Sequence, residues 1–413
     1  MKIKLLILSQ YFPPEIGAPQ NRLFELAIRL QKKGIDISVL TAMPNYPNME
    51  IHSDYKGLKY HFEKIENIKV HRTSIYVSKN TRFLSRLRNY FSFVWSSYIN
   101  RNKIHEDVDY VFCESPPLFL GISAYLISKS MNAKMIFNVS DLWPESAEKL
   151  DIVNNKLLLK AATLLEEFLY KNSILITAQT QGIVSNIYNR FPKKDIYWLP
   201  NGVDSALFKP ESTVLDWRRE NNFKDEDILF FYGGILGHAQ GLEVILKAAK
   251  SFLKTENIHF ILMGSGPEKK KLLQIKKAEL LNNVHFFNPV NKSMIPKVIN
   301  SIDASIIPLK KISLFEGAIP SKIFENLAMQ KPIILGVKGE AKELFIDKGK
   351  CGLYFEPENK NELIKCLNVI INNPILKKKL GENGRAFAKK YFDRDQLANK
   401  FHEKILKTHE NFN

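Results

Sequence analysis

A lysine and a glutamate stand three residues apart in a segment that could bind a phosphorylated sugar. The segment runs from Glu316 through Pro320 to Glu325, and Pro320 and Ser321 predict the start of a helix. Lys322 and Glu325 would then share one helical face. A helix N-terminus with a lysine attracts phosphate, and a carboxylate one turn later can accept hydrogen bonds from sugar hydroxyls. A surface ion pair is the alternative interpretation.

The elements around this pair place it at one edge of a sheet. Directly after the predicted helix, the apolar run from Pro332 to Leu335 predicts a strand, so the helix would lie between two strands. Open α/β sheets bind their ligands at the carboxyl ends of the strands. This context favours ligand binding by Lys322 and Glu325 over a surface ion pair.

Glycines follow the predicted strands at several places. Such glycines let the backbone approach a ligand closely and expose helix N-terminal amides, but glycine is also the usual residue of tight turns, so both interpretations stay open. The candidate binding residues at these turns are Gly17, Gly234, Gly237, Gln240, Gly264 and Gly266. Neither half carries the complete dinucleotide fingerprint or a Walker A lysine loop, which argues against a dehydrogenase or an ATPase.

Short strands alternate with amphipathic helices along most of the chain. The segment from Ile196 to Asp204, with Pro210 beyond it, carries the turn residues of a domain boundary, and the alternation restarts at Ile228. We therefore predict an α/β fold with two Rossmann-like, doubly wound domains that face a cleft, the first over residues 1–200. The predicted strands begin at Ile3, Ile35, Tyr110, Met135, Ile174, Ile228, Ile258, Val284, Ala304 and Ile333.

Positive charge is the main feature of the composition. Among 413 residues, 60 Lys and Arg stand against 43 Asp and Glu, which gives a net charge of +17. This excess indicates an anionic partner, such as a nucleic acid, a phosphorylated ligand or an acidic membrane surface. Because the chain shows no zinc finger, RNA-recognition motif or other nucleic-acid signature, we expect no nucleic-acid partner.

Metal and disulfide signals are missing from the sequence. The three cysteines and nine histidines have no paired spacing, so we expect no metal site and no disulfide framework. Two Asp-x-Asp triplets, at 107–109 and 225–227, precede strands and are interpreted as solvated turn residues. No apolar run reaches the length of a membrane span, and Met1 to Leu8 predicts a strand and not a signal peptide, so we expect a cytoplasmic protein.

One basic amphipathic stretch could contact a membrane. Apolar residues recur at helical spacing from Phe83 to Ile99. The arginines in and beside this stretch are Arg82, Arg86, Arg88 and Arg101. The stretch is either a helix packed on the first sheet or an interfacial helix that lies on anionic lipid.

The chain resembles retaining GT-B glycosyltransferases of family 4 over nearly its whole length. The matching segments are the Gly17 loop, residues 200–204 (PNGVD) with Phe208, the turn with Gly234 and Gln240-Gly241, Gly264-Ser265-Gly266, the helix around Glu325, and residues 351–354 (CGLY). Within the family the chain is most similar to bacterial surface-polysaccharide enzymes, among them N-acetyl-L-fucosamine transferases and colanic-acid-type transferases. That similarity rests on residues 11–14 (YFPP), 141–145 (DLWPE) and 320–322 (PSK).

The resemblance implies an N-terminal acceptor domain, a nucleotide-sugar domain over residues 201–390, and a last helix within 391–413 that crosses back to the first domain. The implied reaction moves a sugar, such as an N-acetylated deoxyhexosamine, with retention from a UDP-linked donor to a polyprenyl-diphosphate-linked saccharide. The product would belong to an O-antigen, a capsule or an exopolysaccharide. No obligatory metal is implied, and the enzyme would lie on the cytoplasmic face of the inner membrane.

The resemblance also implies roles for individual residues. Lys322, with Ser321 and the amides of the glycine turns, would stabilise the charge on the leaving phosphate. Glu325 would hold the ribose or sugar hydroxyls. Asp141 could face the anomeric centre, or it could cap the helix predicted from Leu142 to Leu150, and the two interpretations are equal in weight.

This sequence departs from the family pattern at two places, which limits the residue roles that can be transferred to it. Many members place an arginine and a lysine where this chain has Ile235 and Gln240, so the usual diphosphate cations are missing there. The paired glutamates of the family are separated by seven residues, whereas eight separate Glu316 from Glu325. The role of the second glutamate therefore transfers to Glu325, and the role of the first does not transfer to Glu316.

Two other classes of function stay open. A sugar-nucleotide epimerase shares the architecture but would change the donor sugar without releasing UDP. A non-catalytic protein that binds membranes or nucleic acids would show tight, salt-sensitive binding without turnover.

Overall fold

Two largely parallel sheets organise the chain, one in each of two units. The computed structural model describes residues 2–15, 17–46, 48–80, 83–104, 107–149, 153, 155–211 and 217–411. One unit comprises Met1–Asn201 with Asp395–Asn413, and the other comprises Gly202–Arg394. The sequence placed the boundaries after residues 200 and 390, so the units depart from them by one and four residues.

The first unit holds, within its described ranges, eight strands in one sheet. The strands are β1 (Lys4–Leu8), β2 (Asp36–Ala42), β3 (Tyr60–Ile65), β4 (Ile68–Thr73), β5 (Tyr110–Ser115), β6 (Lys134–Val139), β7 (Leu175–Ala178) and β8 (Ile196–Trp198). The helices are α1 (Ala18–Lys32), α2 (Phe83–Asn100), α3 (Leu120–Ser130), α4 (Glu145–Lys149), α5 (Lys156–Asn172) and α6 (Gln181–Arg190). The strand order is β3-β4-β2-β1-β5-β6-β7-β8, so β1 has β2 on one side and β5 on the other. This reversal of strand order is the topological switch point of the sheet.

A hairpin at one edge departs from the predicted parallel pattern. Strand β3 pairs antiparallel with β4, and the two-residue turn between them has positive φ at Glu66 (48°) and Asn67 (64°). Two positive φ angles are the mark of a type I′ hairpin turn. Neither strand is predicted from the sequence, because the turn lacks the glycine that usually signals it. Ile196–Trp198, predicted as part of the boundary segment, form the edge strand β8.

Helices cover both faces of the first sheet, which explains why its central strands are apolar on both sides. On one face, α2, α3, α5 and α6 bury Phe93, Leu120, Leu169 and Ile187 against the sheet. On the other face α1 contributes Leu23 to a second buried cluster. Among the residues that the structure describes, no helix is both long and apolar enough to span a membrane.

The second unit is built on a six-stranded sheet in its described part. The strands are β9 (Ile228–Gly233), β10 (Ile258–Met263), β11 (Val284–Phe287), β12 (Ala304–Pro308), β13 (Ile333–Gly336) and β14 (Gly352–Tyr354). The helices are α7 (Trp217–Glu220), α8 (Glu243–Ala249), α9 (Lys269–Ala278), α10 (Ile295–Ser301), α11 (Lys322–Ala328), α12 (Lys360–Asn372) and α13 (Pro374–Tyr391). Every pair is parallel, and the order β11-β10-β9-β12-β13-β14 is the doubly wound order of a Rossmann sheet. The predicted α/β fold is thereby confirmed.

One aspartate of each Asp-x-Asp triplet is not solvated as predicted. The carboxylate of Asp227 is buried, accepts the Lys224 amide at 2.8 Å and lies 3.4 Å from Nε2 of His259. Asp109 accepts the Lys4 amide at 2.7 Å. Each carboxylate fixes the start of a strand, because it satisfies a backbone donor that would otherwise lack a partner.

The last helix, α14 (Arg394–Glu410), completes the core of the first unit. It buries Phe401 and Ile405 in the cluster that α1 also covers, and the Phe401 ring lies 6.0 Å from that of Phe112 on β5. At the helix start, Asp395 accepts a hydrogen bond from Nε of Arg29 on α1 at 2.6 Å. The first unit is therefore assembled from two segments that lie far apart in the sequence.

Candidate active site

Lys322 is the first residue of α11, at the carboxyl edge of the second sheet. Its ammonium nitrogen lies 3.9 Å from the centroid of the Tyr232 ring on β9, in a cation–π contact. The Tyr232 hydroxyl donates to the carbonyl of Ile235 at 2.6 Å, which holds the ring in place. The Lys322 nitrogen also comes close to Gly234, where an added Cβ atom would stand only 3.1 Å from it. Lys322 is thus positioned against the turn that follows β9.

This position lies at the switch point of the second sheet. Strand β9 has β10 on one side and β12 on the other, and α11 follows β12 in the chain. Ligands of doubly wound sheets bind in the crevice beyond the carboxyl ends at this point. The structure therefore brings the predicted residues Gly234, Ser321 and Lys322 to the place where such a sheet binds its ligand.

The charge state of Lys322 depends on its surroundings. Burial of the ammonium group lowers its pKa to about 7, and the carboxylate of Glu325 opposes that shift only in part. A surface ion pair, the alternative interpretation of the sequence, would leave Lys322 exposed, whereas its side chain is partly buried and packs on Tyr232. An ammonium group that is poorly compensated in the free protein is ready to bind an anion.

Two glycine turns interlock beside Lys322. The amide of Gly234 donates to the carbonyl of Met263 at 2.9 Å, and the amide of Leu236 donates to the carbonyl of Ser265 at 2.8 Å. Gly264 and Gly266 have φ of +154° and +155°, and a Cβ atom on either would overlap a backbone carbonyl of the neighbouring turn. Only glycine fits such a close approach, so Gly264 and Gly266 allow the two turns to pack against each other at the carboxyl edge of the sheet.

Gly237 and Gln240 lie further along the first of these turns. Gly237 precedes a short 3-10 turn, His238–Gln240, and the Gln240 side chain folds back so that its Oε1 atom would lie 2.8 Å from a Cβ atom at Gly237. The amide of Lys310, after β12, donates to the carbonyl of Ala239 at 2.9 Å. Lys310 is thus a cation held beside the turn whose usual cations are replaced by Ile235 and Gln240.

Lys311 and Glu316 both have partners within the second unit. The ammonium of Lys311 lies 2.8 Å from a carboxylate oxygen of Glu356, and Glu316 lies 3.7 Å from the ammonium of Lys338. Lys311, Glu316 and Lys338 line a recess of about 220 Å³ between the ends of β12 and β13, together with Lys310 and Ser313. Nothing in the local sequence of Lys310 and Lys311 indicates that they share this recess with Lys338.

Asp141 lies at the carboxyl edge of the first sheet, after β6. Desolvation raises the pKa of its carboxyl group, while the Ser146 hydroxyl and the Leu142 amide act in the opposite direction. The nearby helix α4 begins only at Glu145, and the helix predicted over 142–150 extends beyond the described residues. A carboxyl group at this edge with a raised pKa is suited to bind a hydroxyl group or exchange a proton with it.

A buried polar network that the sequence does not predict lies next to Asp141 in the chain. Arg22 on α1 donates to Glu114 at 2.5 Å and to Ser140 at 3.0 Å, and Asn138 donates to Glu114 at 2.7 Å. Thr177 donates to Asn138 at 2.7 Å. The available signal was Asn138, a polar residue inside an otherwise apolar strand, which indicates a hydrogen-bonded partner in the core.

The loop after β1 is held by a second network around Glu15. The Glu15 carboxylate accepts the amides of Phe12 at 3.1 Å and of Asn45 and Tyr46, both at 2.8 Å. Arg72, which is completely buried, pairs with Glu63 and donates to the carbonyl of Pro13. This network fixes the approach to α1, where the candidate Gly17 is the N-cap residue and its carbonyl accepts the Asn21 amide at 3.0 Å.

Metal ligation is not indicated within the described ranges: no group of three or more His, Cys, Asp or Glu side chains there is arranged to hold a metal ion. In the second unit, Lys322 supplies positive charge at the carboxyl edge of the sheet. A charge of this kind binds a phosphorylated ligand.

Comparison with known proteins agrees with this geometry. Residues 214–387 match the family described as "Glycosyl transferases group 1". The Escherichia coli protein WcaI, named as a colanic acid biosynthesis glycosyl transferase, is 23% identical over 97% of this chain and 98% of its own length. The O-antigen chain mannosyltransferase C of Escherichia coli is 20% identical over 95% of each chain.

A solved structure shares the fold. HepE of Anabaena, determined in complex with UDP and glucose, superposes with a TM-score of 0.72 at 17% identity, over 98% of this chain and 99% of that chain. This likeness shows the fold, while the family match over residues 214–387 and the relatives named above indicate the class of enzyme. The second unit matches the group 1 glycosyl transferases, and the chain is a glycosyltransferase with the GT-B fold.

Proposed function

We propose that this enzyme moves a sugar with retention from a UDP-linked donor to a polyprenyl-diphosphate-linked saccharide during surface-polysaccharide synthesis. The observation that carries the proposal is the Lys322 ammonium, held between Tyr232 and Gly234 at the switch point of a group 1 glycosyl transferase domain. The relatives support polysaccharide synthesis, because two are named for colanic acid and O-antigen synthesis. The complex of HepE with UDP and glucose supports a UDP-linked donor.

The reaction breaks the bond between the anomeric carbon and the diphosphate oxygen, and a new bond forms to an acceptor hydroxyl oxygen. The electron pair of the broken bond stays on the nucleoside diphosphate, so negative charge accumulates there in the transition state. Lys322, Ser321 and the amides of the Gly234 and Gly237 turn are the groups that stabilise this charge. Glu325, one turn along α11, binds hydroxyl groups of the donor.

Asp141 acts on the acceptor side of the reaction. Its carboxylate accepts a hydrogen bond from the attacking hydroxyl and polarises it, and the proton leaves with the diphosphate or with solvent. The Arg22–Glu114 pair keeps Ser140 in place directly before Asp141 in the chain. Gly17 and the loop that Glu15 holds in place provide further rigid backbone that can contact the ligand.

Helix α2 is proposed to hold the enzyme at the membrane where a lipid-linked acceptor resides. Trp95 and Leu84 of this helix expose 67% and 77% of their surface, and Arg86 and Arg88 are also exposed. Arg82, part of the predicted basic stretch, lies outside the described residues, and Arg101 forms part of the 3-10 turn after α2. These features suit an interfacial helix on the anionic inner leaflet, with the enzyme peripheral on the cytoplasmic face.

The test is a transfer assay with defined donors and a lipid-linked acceptor. UDP should be released in proportion to the glycosylated acceptor, and turnover should continue in EDTA because positive side chains and amides carry the charge. Loss of turnover in EDTA, restored by a divalent cation, would refute the metal-independent mechanism. A changed donor sugar without UDP release would show an epimerase, and salt-sensitive binding without any product would show a non-catalytic protein.

A further inference from the structure

Helix α5 is apolar on two sides. Its inner side buries Ala162 and Leu169 against the first sheet. Its outer side exposes Leu157 and Leu164, with 79% and 60% of their surface in contact with solvent, and Phe168 is exposed one turn later. Because these outer residues recur at a spacing of seven and four, they form a stripe along the helix. A helix that needed only to cover the sheet would carry polar residues there.

The stripe joins exposed apolar residues of the neighbouring helices. The Tyr125 ring on α3 lies 4.8 Å from that of Phe168, and the Phe91 ring on α2 lies 4.9 Å from that of Phe119, directly before α3. We call this surface the outer face, and it is made by Leu84, Phe91, Trp95, Ile99, Leu126, Leu157, Leu158, Leu164 and Phe168. Exposed apolar residues on three neighbouring helices indicate an interaction site.

Positive charge accompanies the outer face. Helix α2 contains no Asp or Glu, and its Arg86 and Arg88 are exposed. On α5, Lys156 and Lys160 are exposed beside Leu157, whereas Glu166 is buried and paired with Arg190 at 2.7 Å. Lysines and arginines of this kind lay their alkyl stems on apolar surface and keep their charge in water.

The positive charge favours an anionic membrane over a second copy of the chain as the partner of the outer face. A second copy of the chain would bring the same arginines and lysines against themselves, on a protein of net charge +17, and like charges across an interface are repulsive. An anionic bilayer offers both an apolar interior for the leucines and negative headgroups for the cations.

We propose that α5 is a second membrane-contact helix, which inserts Leu157, Leu164 and Phe168 into an anionic bilayer beside α2. The proposal rests on the proposed function only in that a lipid-linked acceptor places the enzyme at a membrane. Two helices on one face fix the orientation of the first unit on the membrane, whereas a single helix would leave it free to rotate about the helix axis.

The first test is sedimentation with vesicles of phosphatidylcholine, with and without phosphatidylglycerol. Leu157→Gln together with Leu164→Gln should weaken binding to the anionic vesicles about tenfold or more, because two exposed leucines lose their apolar contact. The matched control is Leu280→Gln with Ile375→Gln in the second unit, whose side chains are 80% and 83% exposed. Equal losses in both pairs, or no loss in the first, would overturn the proposal.

The second test locates position 164 directly. Leu164→Trp should add fluorescence that is quenched by lipids brominated in their acyl chains, relative to the parent protein. Absence of added quenching would place α5 in water. If the variants alter sedimentation in the absence of lipid, the outer face binds another copy of the chain and the membrane assignment is wrong.

Turnover with a short, water-soluble acceptor diphosphate separates this inference from the proposed function. The Leu157 and Leu164 variants should keep that turnover, since neither residue belongs to the site. A wild-type protein that binds vesicles but never transfers sugar would refute the proposed function and leave the membrane helix intact.

Discussion

The ammonium of Lys322 sits over the ring of Tyr232, 3.9 Å from its centroid, and so links the start of α11 to β9. The contact stabilises the charged form of the lysine, yet burial still lowers its pKa to about 7. The neutral ring therefore holds the ammonium at the edge of the sheet but does not neutralise its charge, as an anionic ligand would.

Replacement of Lys322 should reduce catalysis and leave the fold intact. A donor aimed at developing charge contributes about 3 to 4 kcal/mol, so Lys322→Ala should turn over about a hundred- to a thousandfold more slowly. Gln240→Lys in the same variant should recover part of the loss, because it restores a cation to the Gly237 turn. Steady-state kinetics and circular dichroism measure both effects.

Lys331 provides the matched control for Lys322. It is a second partly buried lysine of the same unit, with a pKa lowered to about 8 by burial, and it donates to the carbonyl of Asn300 at 2.9 Å. Lys331→Ala should change thermal stability and leave donor KM unaltered. If Lys322→Ala turns over near the wild-type rate, the diphosphate charge is met by Lys310 or Lys311 instead.

Donor affinity should fall as the pH rises above 7. With a pKa of about 7 in the free protein, Lys322 loses its proton in this range, and only the charged form pairs with a diphosphate. Bound diphosphate raises that pKa, so binding takes up a proton, and affinity weakens by up to about tenfold for each pH unit above 7. Calorimetry in buffers of different ionisation enthalpy measures the uptake, which should vanish in Lys322→Arg.

The backbone contact between the two glycine turns can be tested by Gly264→Ala. The new Cβ atom would overlap the Gly234 carbonyl at a φ of +154°, so the turns must separate. We expect a loss of about 1 to 3 kcal/mol in stability together with weaker donor binding. Gly57→Ala is the control, because Gly57 has a φ of +80° but an added Cβ atom there would have no atom within 4 Å. This variant should show the cost of the backbone strain alone and leave donor binding unchanged.

The second unit should lose stability in acid through a histidine pair. Nδ1 of His259 lies 3.2 Å from Nε2 of His285, and burial lowers both pKa values, that of His285 to about 4. Since both values fall below that of unfolded histidine, the unfolded chain binds more protons in acid. Stability is therefore complete above about pH 6.5 and declines as the pH falls toward 4, by about 2 kcal/mol for His285 after allowance for its partial exposure.

His285→Phe tests the origin of that decline. Denaturant unfolding of the variant should show a flatter dependence on pH between 6.5 and 4 than the wild type. An unchanged slope would assign the acid sensitivity to groups other than the histidine pair.

Charge reversal on α2 tests the proposed membrane contact of that helix. Arg86→Glu with Arg88→Glu should release the protein from anionic vesicles at lower salt, because each basic residue near the surface contributes about 1 kcal/mol. Lys378→Glu with Lys379→Glu changes the net charge equally on α13 of the second unit and serves as the control. Identical salt dependence in the two pairs would mean that overall charge, not α2, governs attachment.

The sequence predicted what depends on local pattern. Strands β10 and β11 were found from their apolar runs, because strand length and turn residues are local properties. The β3–β4 hairpin was missed because Glu66 and Asn67 adopt positive φ without the usual glycine. Within the candidate site, Lys322 was predicted from its neighbours in the chain, and its role stays a prediction. Its contact with Tyr232, 90 positions earlier in the numbering, could not be found in this way.

The buried hydrogen-bond networks also join residues that lie far apart in the sequence, so local patterns do not predict them. Arg22 and Glu114 are separated by 92 residues, and only the folded sheet shows that they pair. Nothing in the local sequence of either residue distinguishes it from an exposed charge.

The split composition of the first unit has a consequence for biosynthesis. Residues 202–394 form an uninterrupted segment, whereas the first unit requires α14, whose Phe401 and Ile405 enter its core. During translation the second unit can therefore fold as soon as it leaves the ribosome, while the first must wait for the last helix. Until then, the apolar surface that α14 covers stays exposed and can bind chaperones. A chain truncated shortly before residue 395 would therefore contain a folded second unit and an incomplete first unit.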